Sequence, residues 1–129
     1  GAFQFEKKPA DGFLLTAPVK SFPPNRFGLY DIIGNVWEWC DDWYRADAYQ
    51  LAVDAVGEKG VTVNPRGPKF PLDPTEPHSR KRVNRGGSFL CNPLYCASYR
   101  PSARMRTSPD SGQNHLGFRA VMTPARTAK

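Results

Sequence analysis

The sequence predicts a loop-rich mixed α+β fold with short strands and little helix. Three observations carry that expectation. Thirteen prolines and eleven glycines interrupt 129 residues too often for long helices. The apolar runs are short, and the clearest of them alternate as strands do. Residues 57–80 are rich in Pro, Gly and charge, with five prolines between Pro65 and Pro77, and show no period at all. A loop that long inside a small domain is more often functional than accidental.

In chain order, Asp11-Gly12-Phe13 is a turn signal and Pro23-Pro24-Asn25 a break. Phe27 to Ile33 forms a short apolar element. Gly34-Asn35 makes a tight turn, and Val36-Trp37-Glu38-Trp39 reads as a strand by alternation and composition. Asp47 to Ala55 reads as a short helix, with Tyr49, Leu51, Val53 and Val56 loosely spaced along it. A second strand is expected over Val83 to Leu90, where Gly86-Gly87 implies a bulge or the close approach of another backbone. Leu116 to Met122 is expected as the closing strand, followed by a frayed tail after Pro124.

Length and composition suit one compact soluble domain: 40% of residues are hydrophobic and 23% charged. No apolar run approaches the ~18–20 residues that span a bilayer, so no membrane partner is expected. Gly1-Ala2-Phe3-Gln4 does not read as a signal peptide. Net charge is +6, with basic clusters at Arg80-Lys81-Arg82 and from Arg100 to Arg106. No nucleic-acid-binding motif accompanies them, so no nucleic-acid partner is expected, and a basic surface can equally receive a peptide. Three cysteines, an odd count, do not make a small disulfide framework. A reducing compartment is the better expectation.

Few residues carry candidate chemistry. Cys91 and Cys96 enclose four residues, which is neither zinc-knuckle nor thioredoxin spacing. Two soft thiolates without further ligands suit Cu(I). The same spacing fits a small-loop disulfide, or two unrelated buried thiols acting as small hydrophobes. Asp31, Asn35 and Glu38 surround a glycine turn, as Ca²⁺ ligands or as a solvated acidic turn. Asp11, Asp41 and Asp42 are equally ambiguous. His78 reads as a surface residue, and His115 as a hydrogen-bonding group in or near a site. Trp37, Trp39 and Trp43 read as core or groove wall, and Cys40 as packing. No Ser/His/Asp arrangement points to a hydrolase.

The run Gly28-Leu29-Tyr30-Asp31-Ile32-Ile33-Gly34-Asn35-Val36-Trp37-Glu38-Trp39 resembles the signature of the sulfatase-modifying-factor superfamily. Arg85-Gly86-Gly87-Ser88-Phe89 and Leu116-Gly117-Phe118-Arg119 resemble it too. The resemblance extends from about Asp11 to Met122. The superfamily also holds sulfoxide synthases and lectin-like binding proteins. Within it, Gly86-Gly87-Ser88, then Cys91, Cys96, Tyr99-Arg100 and Arg104, is similar to formylglycine-generating enzymes.

That resemblance implies a C-type-lectin-like fold and a copper- and oxygen-dependent oxidation. Cys91 and Cys96 would hold Cu(I). The cysteine of a sulfatase polypeptide, in a Cys-x-Pro-x-Arg sequence, would become Cα-formylglycine with molecular oxygen as oxidant. Ser88 and Trp37 match residues lining the oxygen pocket. Tyr95, Arg100 and Arg104 match positions around the substrate groove, and His115 stands where some relatives have Asn. Asp31, Glu38 and the carbonyls of Gly34 and Val36 would form a structural Ca²⁺ site. Asp11 and the carbonyl of Phe13 would contribute to a second, whose other ligands are expected upstream. Residues 1–129 would then be the C-terminal part of the domain, with its N-terminal part absent. Pro101 and Ala120 stand where vertebrate relatives place structural cysteines, which implies a prokaryotic, cytoplasmic enzyme. The rival readings are a non-catalytic, lectin-like ligand-binding module and an iron-dependent sulfoxide synthase. The second would need a His-rich site, and this sequence offers only His78 and His115.

Overall fold

A computed structural model describes residues 11–91, 96 and 98–122. Four short strands form one sheet in the order β3-β2-β1-β4. They are β1 (Trp37–Trp43), β2 (Arg82–Arg85), β3 (Met105–Thr107) and β4 (Leu116–Gly117), with one helix, α1 (Ala48–Val56), between β1 and β2. β1 pairs antiparallel with β2, placing Glu38 opposite Arg85 and Trp39 opposite Asn84. It pairs parallel with β4, Trp37 opposite Leu116. β2 pairs antiparallel with β3. The mixed architecture is the one the Pro- and Gly-punctuated sequence predicts.

Three element boundaries differ from expectation, each for a visible reason. β1 runs on through Cys40 to Trp43, because β2 keeps pairing with it across a register shift between Trp39 and Trp43. β2 stops at Arg85 instead of reaching Leu90. Gly86 and Gly87 adopt φ of 92° and 76°, a left-handed path that no strand follows. The closing strand is only Leu116–Gly117. Beyond it Phe118 is 78% exposed, and Arg119 turns back onto Glu38. α1 lies where the apolar spacing puts it, buries none of its side chains and ends at Gly57, whose N–H donates to the Val53 carbonyl.

The hydrophobic core is small. Among the described residues Trp37, Val83 and Phe89 are its buried apolar members, beside the buried polar Asn84 and Ser88. Polar fastenings therefore do much of the holding. The irregular stretch after α1 is tied to the chain following β1 by a bridge between Arg45 and Leu72, where Leu72 N–H donates to Tyr44 O and Ala46 N–H to Leu72 O, each at 2.9 Å.

Next to that bridge sits Asp73, only 2% exposed. Its carboxylate accepts from Lys81 Nζ at 2.8 Å, Arg106 Nε at 2.5 Å, Thr75 N–H at 3.0 Å and Thr75 Oγ1 at 2.7 Å. Lys81 also pairs with Glu76 at 2.7 Å. This cluster pins the Pro-rich loop to the sheet through Lys81, just before β2, and through Arg106 in β3. The hydrogen bond from Lys81, with help from Thr75 and Arg106, holds the Asp73 carboxyl well below the usual carboxylate range. The reciprocal contact pushes Lys81 up. No helix among the described residues is long and apolar enough to cross a membrane.

Candidate thiol centre and its surroundings

The site is built on the turn before β1. Gly34 and Asn35 both have positive φ, 89° and 61°. Asn is one of the few side-chain-bearing residues that tolerates this region. The Asn35 amide then clamps Ala17 from both sides: Oδ1 accepts from Ala17 N–H at 3.0 Å and Nδ2 donates to Ala17 O at 3.2 Å. Its carbonyl accepts from Phe89 N–H at 2.9 Å, and Gly34 N–H donates to Gly86 O at 2.7 Å. One turn thus joins the 11–19 segment, the start of β1 and the segment leading to Cys91.

The paired glycines make the close approach their sequence implies. A Cβ on Gly86 would lie 3.1 Å from the Ile32 carbonyl oxygen, and one on Gly87 would lie 2.9 Å from Tyr99 Cβ. From there the chain enters Ser88, which is buried. Ser88 O accepts from Cys91 N–H at 2.9 Å, and Ser88 Oγ accepts from Leu90 N–H at 3.2 Å. The resulting tight turn presents Cys91. Cys91 and Cys96 come together with Cα atoms 4.9 Å apart and their sulfurs paired as a disulfide. Of the alternatives open at the spacing, two unrelated buried thiols is the one this arrangement removes.

A cavity of about 230 Å³ opens beside Cys91. Ser88, Phe89, Asn35, Asp31 and Asp11 also line it. Trp37 is buried at the start of β1, and its N–H donates to His115 O at 2.8 Å. The His115 ring stands edge-on to Phe89 at 6.4 Å, with Nδ1 3.0 Å from Asn114 Oδ1. Phe89, a wall of the Cys91 cavity, is thus linked through the His115 ring and the His115 carbonyl to the start of β1 at Trp37. Tyr95 lies outside the described residues. Arg100 is exposed. Arg104 faces elsewhere: it stacks over Tyr49 at 4.3 Å and Tyr44 at 5.5 Å, donates to Arg45 O, and lines a separate cavity with Cys40.

The residues of the acidic turn border two cavities: Val36 and Glu38 line a second one of about 430 Å³, Gly34 lines the one at Cys91, and Asp31 lines both. Glu38 is held in two places by Arg119, whose Nε lies 2.5 Å from Oε2. Arg119 also donates to Asp31 O at 3.1 Å. That carboxylate pushes Arg119 up. Asp11 Oδ1 accepts from Phe13 N–H at 3.0 Å, closing the predicted turn. Among the described residues no three His, Cys, Asp or Glu side chains gather as a metal cluster. A two-sulfur ion, or one relying heavily on backbone carbonyls, is what these donors can hold.

Sequence reasoning missed two partnerships. Glu38 and Arg119 lie 81 residues apart, and Asp73 and Arg106 lie 33 apart. No local pattern announces such pairs. Asn35 was visible as a turn residue, and its αL tolerance was the signal that a rigid bend sits there.

Comparisons with known proteins identify the family and the fold. The family of sulfatase-modifying factor enzyme 1-like domains matches residues 2–124. A formylglycine-generating enzyme of Thermomonospora curvata is 42% identical over 124 residues, covering 96% of this chain and 37% of the relative. One from Bos taurus is 43% identical over 121 residues, covering 94% of this chain and 28% of the relative. Among solved structures, Treponema denticola variable protein 1 superposes with a TM-score of 0.51 at 32% identity, over 81% of this chain and 31% of that one. The chain thus spans roughly a third of the length of these relatives.

Proposed function

The chain belongs to the sulfatase-modifying factor enzyme 1-like family, with its C-type-lectin-like mixed fold, and from that premise we propose that it carries the thiol centre of a formylglycine-generating oxidase. The substrate is a cysteine in a Cys-x-Pro-x-Arg sequence of a sulfatase polypeptide; molecular oxygen takes two electrons and two protons from it to leave a thioaldehyde, and water then replaces the sulfur, which departs as hydrogen sulfide, to give Cα-formylglycine. One observation supports this reading above the others: Cys91 and Cys96 meet with Cα atoms 4.9 Å apart, and Cys91 ends a turn tied to Asn35 through the Phe89 N–H.

Two adjacent soft sulfur donors fit Cu(I), which supplies one-electron chemistry with oxygen when bound. Once the pair is reduced, Cys91 and Cys96 are the residues that hold the ion. Ser88 Oγ accepts from Leu90 N–H, so its own proton is left to donate into the cavity that Cys91 lines. Behind the pair, buried Phe89 meets the His115 ring edge-on, and the Trp37 N–H donates to the His115 carbonyl. Substrate contacts are assigned to Tyr95, Arg100 and His115. Of these, His115 packs against Phe89, a wall of the Cys91 cavity.

Calcium is assigned to the turn, with Asp31 and Glu38 giving carboxylates and Gly34 and Val36 carbonyls. There the ion would compete with Arg119 for Glu38. Asp11 and the Phe13 carbonyl would serve a second ion.

The test is an anaerobic Cu(I) titration of the reduced protein, followed by mass spectrometry of a Cys-x-Pro-x-Arg peptide incubated with it in oxygen. One equivalent of Cu(I) is expected, absent in Cys91→Ser and in Cys96→Ser, with conversion of the peptide thiol to an aldehyde. Uptake unchanged in both variants would overturn the assignment and leave the ligand-binding reading.

A further inference from the structure

A cavity of about 460 Å³ lies apart from the thiol centre. It shares no lining residue with the cavity at Cys91. Its volume falls within the ~300–1,000 Å³ usual for small-molecule sites. Trp43, Tyr49, Leu51 and Val83 give it an apolar wall from β1, α1 and β2. Cys40 lies in the lining, half-buried.

Five cations of the described residues are paired: Arg45 with Asp47, Arg82 with Asp41, Lys81 and Arg106 with Asp73, and Arg119 with Glu38. Of the cations without a carboxylate partner among the described residues, three, Arg66, Arg85 and Arg104, line this one cavity. Arg85 donates to Pro101 O and Arg104 to Arg45 O. A carbonyl fixes a guanidinium in place without cancelling its charge. Arg104 is further immobilised by its stack on Tyr49. Arg66 is exposed at the rim. The lone carboxylate of the lining, Asp42, is exposed, so three guanidinium groups face one carboxylate.

We propose that this cavity binds a small organic anion with a flat apolar body, of the aryl-carboxylate class. The aromatic and aliphatic wall takes the body, and the uncompensated guanidinium groups take the carboxylate, to which their planar forks are matched. An Arg-bearing peptide is the wrong charge for the same place, so the inference stands apart from the thiol chemistry.

Cys40 supplies a local reporter. Burial pushes its thiol up, so alkylation is followed at alkaline pH, site by site, by mass spectrometry. The probes are 2-naphthoate and its neutral isostere 2-naphthamide. Naphthoate is expected to slow Cys40 alkylation in a saturable way, and naphthamide to need about tenfold higher concentration. Arg66→Gln and Arg104→Gln are each expected to weaken naphthoate by roughly three- to tenfold while leaving naphthamide unchanged. The Arg66 side chain has no hydrogen-bonded partner among the described residues, so that variant is expected to keep its structure, and circular dichroism checks it. Equal protection by both probes, no protection by naphthoate, or naphthoate protection unaltered in both variants would each overturn the proposal.

Discussion

The sheet is fastened on one side by charge and on the other by neutral hydrogen bonds. At the Pro-rich loop, Asp73 gathers Lys81, Arg106 and Thr75 around one buried carboxylate. At the thiol centre, the Gly34–Asn35 turn holds Ala17, Gly86 and Phe89 through backbone groups and one amide side chain. The two solve different problems. An ionic clamp needs few residues and can anchor a segment with no regular structure of its own. It works only while the carboxylate is ionised. A neutral clamp positions backbone atoms directly and has no carboxylate to protonate in acid.

The largest expected effect breaks the ionic side. Asp73→Ala leaves Lys81 and Arg106 facing each other without their shared counter-charge. Its melting temperature should fall by on the order of 10 °C or more, read by calorimetry. A fall no larger than that of an exposed charge variant would mean the cluster does not anchor the loop.

Next comes the neutral side. Asn35→Ala loses both hydrogen bonds to Ala17 and the tolerance of positive φ, together about 2–3 kcal/mol by urea unfolding. Asn35→Gly keeps the backbone freedom and should lose only about 1 kcal/mol. If the two variants are equally destabilised, the side-chain clamp and not the left-handed backbone carries the effect.

The smallest effect near neutrality sharpens the contrast by pH. The folded Asp73 carboxyl titrates below its unfolded value of about 3.9. Folding therefore favours the ionised form. Its contribution is fully present above that unfolded value and is lost as pH falls through the depressed folded value. Asp73→Asn should flatten the acid limb of the stability profile below about pH 4 and leave the slope between pH 6 and 8 unchanged. An acid limb as steep as in the parent protein would assign acid sensitivity to other carboxylates.

These fastenings differ also in how far the sequence announces them. The spacing of Cys91 and Cys96 left a disulfide, a metal pair and two unrelated thiols open, and only the resemblance favoured a pair, whereas the turn was legible because Gly34-Asn35 is turn chemistry. α1 was legible from its apolar spacing. The ionic cluster was not. Asp73 sits among prolines and looks like a solvated loop residue until Arg106 reaches it from β3. The closing strand was over-read for a related reason. Phe118-Arg119-Ala120-Val121 has strand-like composition, yet the parallel pairing with β1 extends only across Leu116 and Gly117. Composition reports what a segment can do, and only the partner strand decides how much of it pairs.

That parallel pairing also fixes an order of events. β1 cannot acquire its β4 neighbour until Leu116 and Gly117 exist, with roughly eighty residues made in between. On a growing chain, the antiparallel pairing of β1 with β2 is available first, while the far edge of β1 waits. The Trp37 N–H meets its partner, the His115 carbonyl, only at that late stage. The group behind the cysteines is thus completed last, after Cys91 and Cys96 have already been made.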